Sequence, residues 1–123
     1  MIRSVTGSVL IVDADAGFRA LAARLLAASG LTVVGEADSV SGALAAADRL
    51  EPSAILVDAE LADGDGIPLA GELAALLWRP RIVLTFIDRD IATAENVRRA
   101  RATGFVSKID LAGAPLARLL TGE

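Results

Sequence analysis

A chain of 123 residues fits one domain and is long enough to bury a core without staples. It contains no cysteine and no histidine, which excludes disulfides, thiolate or imidazole metal sites, cysteine nucleophiles, Ser-His-Asp triads and a phosphohistidine of its own. Its net charge is −4, and one Trp, three Phe and no Tyr offer little for base stacking, so direct nucleic-acid binding is not expected.

The first apolar run, Val9 to Val12, reads as a strand and ends in Asp13. It is too short for a signal peptide, and no later run approaches a membrane span, so a cytoplasmic location without membrane contact is expected. Phe18, Leu21, Ala22, Leu25 and Leu26 then follow helical spacing, with Gly30 as the stop. Thr32 to Gly35 is a weaker second strand. Val40, Leu44 and Ala47 mark a second helix, with Ser39 or Ser41 as its N-cap. The third strand, Ala54 to Val57, ends in Asp58. A third helix carries Leu69, Leu73, Leu76 and Leu77, beginning near Pro68 and ending before Pro80. The fourth strand, Ile82 to Leu84, ends in Thr85, and Ile91, Ala94, Val97 and Ala100 give a fourth, less apolar helix. The basic cluster Arg98, Arg99 and Arg101 reads as its solvated face. The fifth strand, Phe105 to Val106, runs through Ser107 into Lys108, and Pro115 to Leu120 is a short last helix.

Strands that are apolar without alternation are those buried on both faces. Strands alternating with helices at this spacing predict an α/β domain, 1–123, with a parallel sheet covered by helices on both sides. In such sheets the ligand crevice lies outside the carboxyl ends of the strands. Four of the five strands end there in a polar group: Asp13, Asp58, Thr85 and Lys108. Each alone has a structural explanation as a cap, turn or surface residue. Together they suit phosphoryl transfer: a carboxylate nucleophile, acids for Mg²⁺, and a hydroxyl and an ammonium for phosphate oxygens.

The segments Leu10-Ile11-Val12-Asp13, Ile55-Leu56-Val57-Asp58, Asp63-Gly64-Asp65-Gly66, Leu84-Thr85 and Gly104-Phe105-Val106-Ser107-Lys108 occur in this order. In that order and spacing the chain resembles the CheY-like receiver domains of response regulators over nearly its whole length. The resemblance implies a flavodoxin-like five-stranded sheet in order 2-1-3-4-5. It implies a phosphoacceptor rather than an enzyme: Asp58 takes a phosphoryl group from a sensor histidine kinase or a phosphotransfer protein, assisted by Thr85 and Lys108. Mg²⁺ would be held by Asp13, Asp58 and the backbone carbonyl of Glu60, with Asp15 a further candidate. Thr85 and Phe105 match the switch positions. The face of the fourth helix, fifth strand and fifth helix (α4-β5-α5) would meet a downstream protein or a second copy.

The chain departs from that family at several positions. Ala14 stands where a second acid ordinarily binds the metal directly, which should weaken Mg²⁺ binding. Phe86 stands where a small residue is usual and could narrow access to Asp58, and Ala62 and Ile109 replace prolines. Ala14 and Phe86 motivate an alternative: a pseudo-receiver that works as an interaction module without phosphorylation. Asp13-Ala14-Asp15 also matches the Asp-x-Asp element of haloacid-dehalogenase-type phosphatases, with Asp13 as nucleophile. That reading lacks the family's cap and later acidic pair, and it leaves Asp58 unexplained.

Overall fold

The computed structural model describes residues 7–123; the first six residues of the expected 1–123 domain lie outside the described part. Five parallel strands form the sheet: β1 (Ser8–Val12), β2 (Thr32–Ala37), β3 (Ala54–Asp58), β4 (Arg81–Phe86) and β5 (Gly104–Ser107). Their spatial order is 2-1-3-4-5, as expected. The helices are α1 (Ala16–Ala28), α2 (Val40–Leu50), α3 (Gly66–Ala74), α4 (Ala94–Ala100) and α5 (Leu116–Thr121). Among the described residues no helix is long and apolar enough to cross a membrane.

Successive strand residues point to opposite sides of the sheet. Leu10, Val12, Ile55, Val57, Ile82 and Leu84 pack with Ala43, Ala47, Ile67, Leu73 and Ala100 of α2, α3 and α4. Val9, Ile11, Leu56, Val83 and Val106 pack with Ala22 and Leu26 of α1 and Leu116 and Leu120 of α5. Both faces of each inner strand are therefore apolar, which is why these runs show no alternation in sequence. β2 is an edge strand with a mostly exposed or half-buried pattern, which explains its weaker signal.

Ser39, not Ser41, caps α2: its hydroxyl accepts the Gly42 N–H at 3.0 Å. α3 ends at Ala74, earlier than the leucine stripe suggests. Beyond it the chain tightens through Leu76 N–H to Leu73 and Arg79 N–H to Leu76 carbonyl bonds, leaving Leu77 96% exposed. Trp78 anchors this turn by donating its indole N–H to the Pro52 carbonyl at 2.8 Å. α4 starts only at Ala94, capped by Thr93, and Ile91 belongs to a short 3₁₀ turn before it. One element had no sequence signal: Glu60–Leu61 and Gly64–Asp65 pair antiparallel in a small hairpin directly after β3. The chain can return so closely only because Gly66 lacks a side chain; a Cβ there would overlap the Asp58 carbonyl oxygen.

Candidate functional site

Asp13, Asp58, Thr85 and Lys108 each lie two residues beyond a residue buried in the α1/α5 layer: Ile11, Leu56, Val83 and Val106. The strand period of two brings Asp58 and Thr85 out on one side of the carboxyl edge, while Asp13 stands one residue past β1 and Lys108 opens a 3₁₀ turn directly after β5. Asp58 and Thr85 are register partners on β3 and β4. Asp13, Asp58 and Thr85 are buried.

Lys108 joins the two acids. Its Nζ lies 2.7 Å from Asp13 Oδ2 and 3.2 Å from Asp58 Oδ2, and 4.4 Å from the centre of the Phe18 ring. The contact with Asp58 has hydrogen-bond geometry. The one with Asp13 is the closer of the two, and it occupies the buried Asp13 Oδ2. Asp58 Oδ1 accepts the Glu60 N–H at 3.3 Å, and Asp13 Oδ1 accepts the Asp15 N–H at 2.9 Å. Burial and the neighbouring Asp13 charge raise the Asp58 carboxyl above its ordinary pKa, against the opposing pull of Lys108. Burial would lower the Lys108 ammonium, but the Asp13 and Asp58 carboxylates outweigh it and hold it above its ordinary value.

The remaining expected residues divide. Thr85 is in place beside Asp58, but its hydroxyl donates to the Val57 carbonyl at 3.4 Å rather than to a carboxylate. Glu60 is beside Asp58 through its backbone. Asp15 is not part of the acid cluster: it is exposed, and its carboxylate caps α1 by accepting the Gly17 N–H at 2.9 Å. A carboxylate bound to its own helix start does not complete the pair that Ala14 leaves open, nor does it form an Asp-x-Asp centre with Asp13. Phe86 does not lie free at the pocket mouth. It is buried in the α2/α3/α4 layer, with its ring centre 6.2 Å from that of half-buried Phe105. The arginines Arg98, Arg99 and Arg101 are exposed, as a solvated helix face requires.

Two supporting residues escaped the sequence reading. Phe18 served there only as a member of the α1 apolar stripe, yet its ring lies under the Lys108 ammonium. Arg19 donates Nη1 to the Asp13 carbonyl at 2.7 Å and Nε to Glu36 at 2.8 Å, fixing the end of β1 to β2. Nothing in its spacing marked it.

The site's donor set can be tested against a magnesium ion. Both Oδ2 atoms touch one ammonium, so two carboxylates converge on one point. Mg²⁺ takes one or two carboxylates, fills its shell with water and phosphate, and prefers oxygen throughout. The residues fit, but sparsely: among the described residues no group of three acids converges.

Residues 9–112 match the response regulator receiver domain family. The chain belongs to the response regulator receiver family. Receiver domains are signalling modules of two-component systems rather than classical enzymes. They interact with histidine kinases and effector domains, and generally bind Mg²⁺ at an acidic pocket. The chain is 33% identical over 106 residues to the transcriptional regulatory protein PdtaR of Mycobacterium tuberculosis, covering 85% of this chain and 51% of that protein. It is 36% identical over 110 residues to the DNA-binding transcriptional activator DevR/DosR of the same species, covering 89% and 50%. The chain thus spans about half the length of these relatives. Among solved structures it resembles the signal receiver domain of the putative response regulator NarL from M. tuberculosis. That match has a TM-score of 0.73 and 27% identity, covering 90% of this chain and 94% of that one.

Proposed function

We propose that this chain, as one receiver domain, accepts a phosphoryl group on Asp58 from the phosphohistidine of a sensor histidine kinase or phosphotransfer protein in the cytoplasm. The observation that supports this most is the Asp58 carboxylate bonded to Lys108 at 3.2 Å with Thr85 as its register partner. An Asp58 oxygen attacks phosphorus, the P–N bond to histidine breaks, and the electron pair leaves with the imidazole. Lys108 exchanges its carboxylate contact for a phosphoryl oxygen, and the Thr85 hydroxyl leaves the Val57 carbonyl to donate to another. Mg²⁺, held by Asp13, Asp58 and the Glu60 backbone carbonyl, would neutralise charge on the phosphoryl oxygens.

The movement of Thr85 would carry Phe105 and alter the α4-β5-α5 face, where a downstream protein or a second copy binds. The domain assists only its own modification and loss of the phosphoryl group. A pseudo-receiver is the second reading, supported by Ala14 and by the ammonium that already spans both carboxylates. Acetyl phosphate with Mg²⁺, followed by peptide mass mapping, distinguishes them. One phosphoryl adduct is expected on the Asp58 peptide and none in Asp58→Asn. No adduct under conditions that modify an ordinary receiver would favour the pseudo-receiver.

A further inference from the structure

We propose that Asp63 is a positioning residue for the pocket: from the hairpin turn after β3 it caps α2, and so holds the Glu60 backbone against Asp58. The effect on Asp58 chemistry rests on the phosphoacceptor reading; the positioning itself does not.

α2 already has its own cap in Ser39, whose hydroxyl takes the Gly42 N–H. The Val40 and Ser41 N–H groups remain, since the first N–H groups of a helix have no partner within it. Asp63 takes both: Oδ1 accepts from Val40 at 2.8 Å and Oδ2 from Ser41 at 3.4 Å. The same helix end favours negative charge, and the Val40 bond draws the Asp63 carboxyl below its ordinary pKa. Gly64, next in the turn, is packed tightly enough that a Cβ would stand 3.1 Å from Val40 Cγ2.

The hairpin transmits this anchorage. Leu61 pairs with Gly64 and Glu60 with Asp65. At its base the Gly66 N–H donates to the Ala59 carbonyl at 2.8 Å, and Asp65 caps α3 through the Ile67 N–H at 2.9 Å. Its turn is thus tied to α2 and its base to β3 and α3. Glu60 lies between, with its N–H on Asp58 Oδ1. With Ala62 in the turn there is no proline ring to stiffen it, and the bonds from Asp63 perform that task across 23 residues of sequence.

The test uses the full chain with Asp63→Ala, Asp63→Asn and Ser39→Ala. Amide hydrogen exchange is followed without metal, and the initial rate of modification by acetyl phosphate with Mg²⁺. Asp63→Ala is expected to speed exchange at Val40, Ser41 and Glu60, and to slow modification roughly fivefold, the scale of one N-cap. Asp63→Asn, which keeps an acceptor, should restore most of both. Ser39→Ala removes the other α2 cap and should speed exchange at Gly42 while sparing Glu60 and the rate, separating positioning from general loosening of the helix. Unchanged Glu60 exchange in Asp63→Ala would overturn the inference, as would an equal effect of Ser39→Ala on Glu60. If the unmutated chain is not modified at all, the phosphoacceptor reading fails while the exchange results still decide the role of Asp63.

Discussion

Along the carboxyl edge of the sheet, β3, β4 and β5 present Asp58, Thr85 and Lys108 in contact or in register, whereas β1 leads into Asp13, then Ala14, then an Asp15 turned to α1. The first group sets a hydroxyl and an ammonium beside the proposed phosphoacceptor; the second offers one carboxylate where a metal would gain from two. Lys108 bridges the halves, offsetting two buried negative charges with one positive charge. The anion side and the metal side of such a pocket are separable, because they come from different strands and different loops.

Removing the bridge should have the largest effect on stability. Lys108→Met leaves two facing buried carboxylates without compensation and is expected to cost about 3 kcal/mol in urea unfolding at neutral pH. The loss should shrink in acid, where Asp58 takes up a proton. An unchanged midpoint would mean that the two acids do not depend on the ammonium.

A pH series sharpens the same contrast from the Asp58 side. Its folded pKa lies above the ordinary 3.8, so across the window from 3.8 up to the folded value the folded state binds the proton more tightly than the unfolded one. This group therefore makes stability fall as pH rises through that window. Asp58→Asn removes the contribution, so its Tm advantage over the unmutated chain should grow through the window and then level off. Lys108 has the same sign of dependence in an alkaline window: its raised pKa stabilises the fold below 10.5, and that stabilisation is lost as pH climbs through the folded value. A Tm difference independent of pH would contradict the burial argument.

The smallest change is expected at the ring. Phe18→Leu keeps the apolar stripe of α1 but removes the face beneath Lys108, and should cost roughly 0.5–1 kcal/mol in the same unfolding experiment.

Much of this was legible in the sequence. The strand order followed from the family resemblance. The convergence of Asp13, Asp58, Thr85 and Lys108 followed from the ends of four apolar runs. Pleat phase, visible once Leu56 and Val83 share a layer, explains why Asp58 and Thr85 emerge on one side. What stayed hidden depends on contacts between distant segments. Arg19 reaches Glu36, Asp63 reaches Val40, and Phe18 reaches Lys108; no local spacing encodes any of these pairs. The hairpin after β3 was hidden because its strands have two residues each, too few for any periodicity. Phe86 does not narrow the pocket, because the residue after Thr85 returns to the opposite side of the sheet, into the core.

The decisive measurement is the extent of Asp58 modification by acetyl phosphate against Mg²⁺ concentration, for the unmutated chain and for Ala14→Asp. Both chains are expected to be modified on Asp58, because Lys108 and Thr85 stand beside it in each. Ala14→Asp should reach half-saturation at about tenfold lower Mg²⁺, the worth of roughly 1.4 kcal/mol in one added carboxylate ligand. Superimposable Mg²⁺ curves would show that Ala14 does not limit the metal side, and no modification of either chain at any concentration would overturn Asp58 as phosphoacceptor.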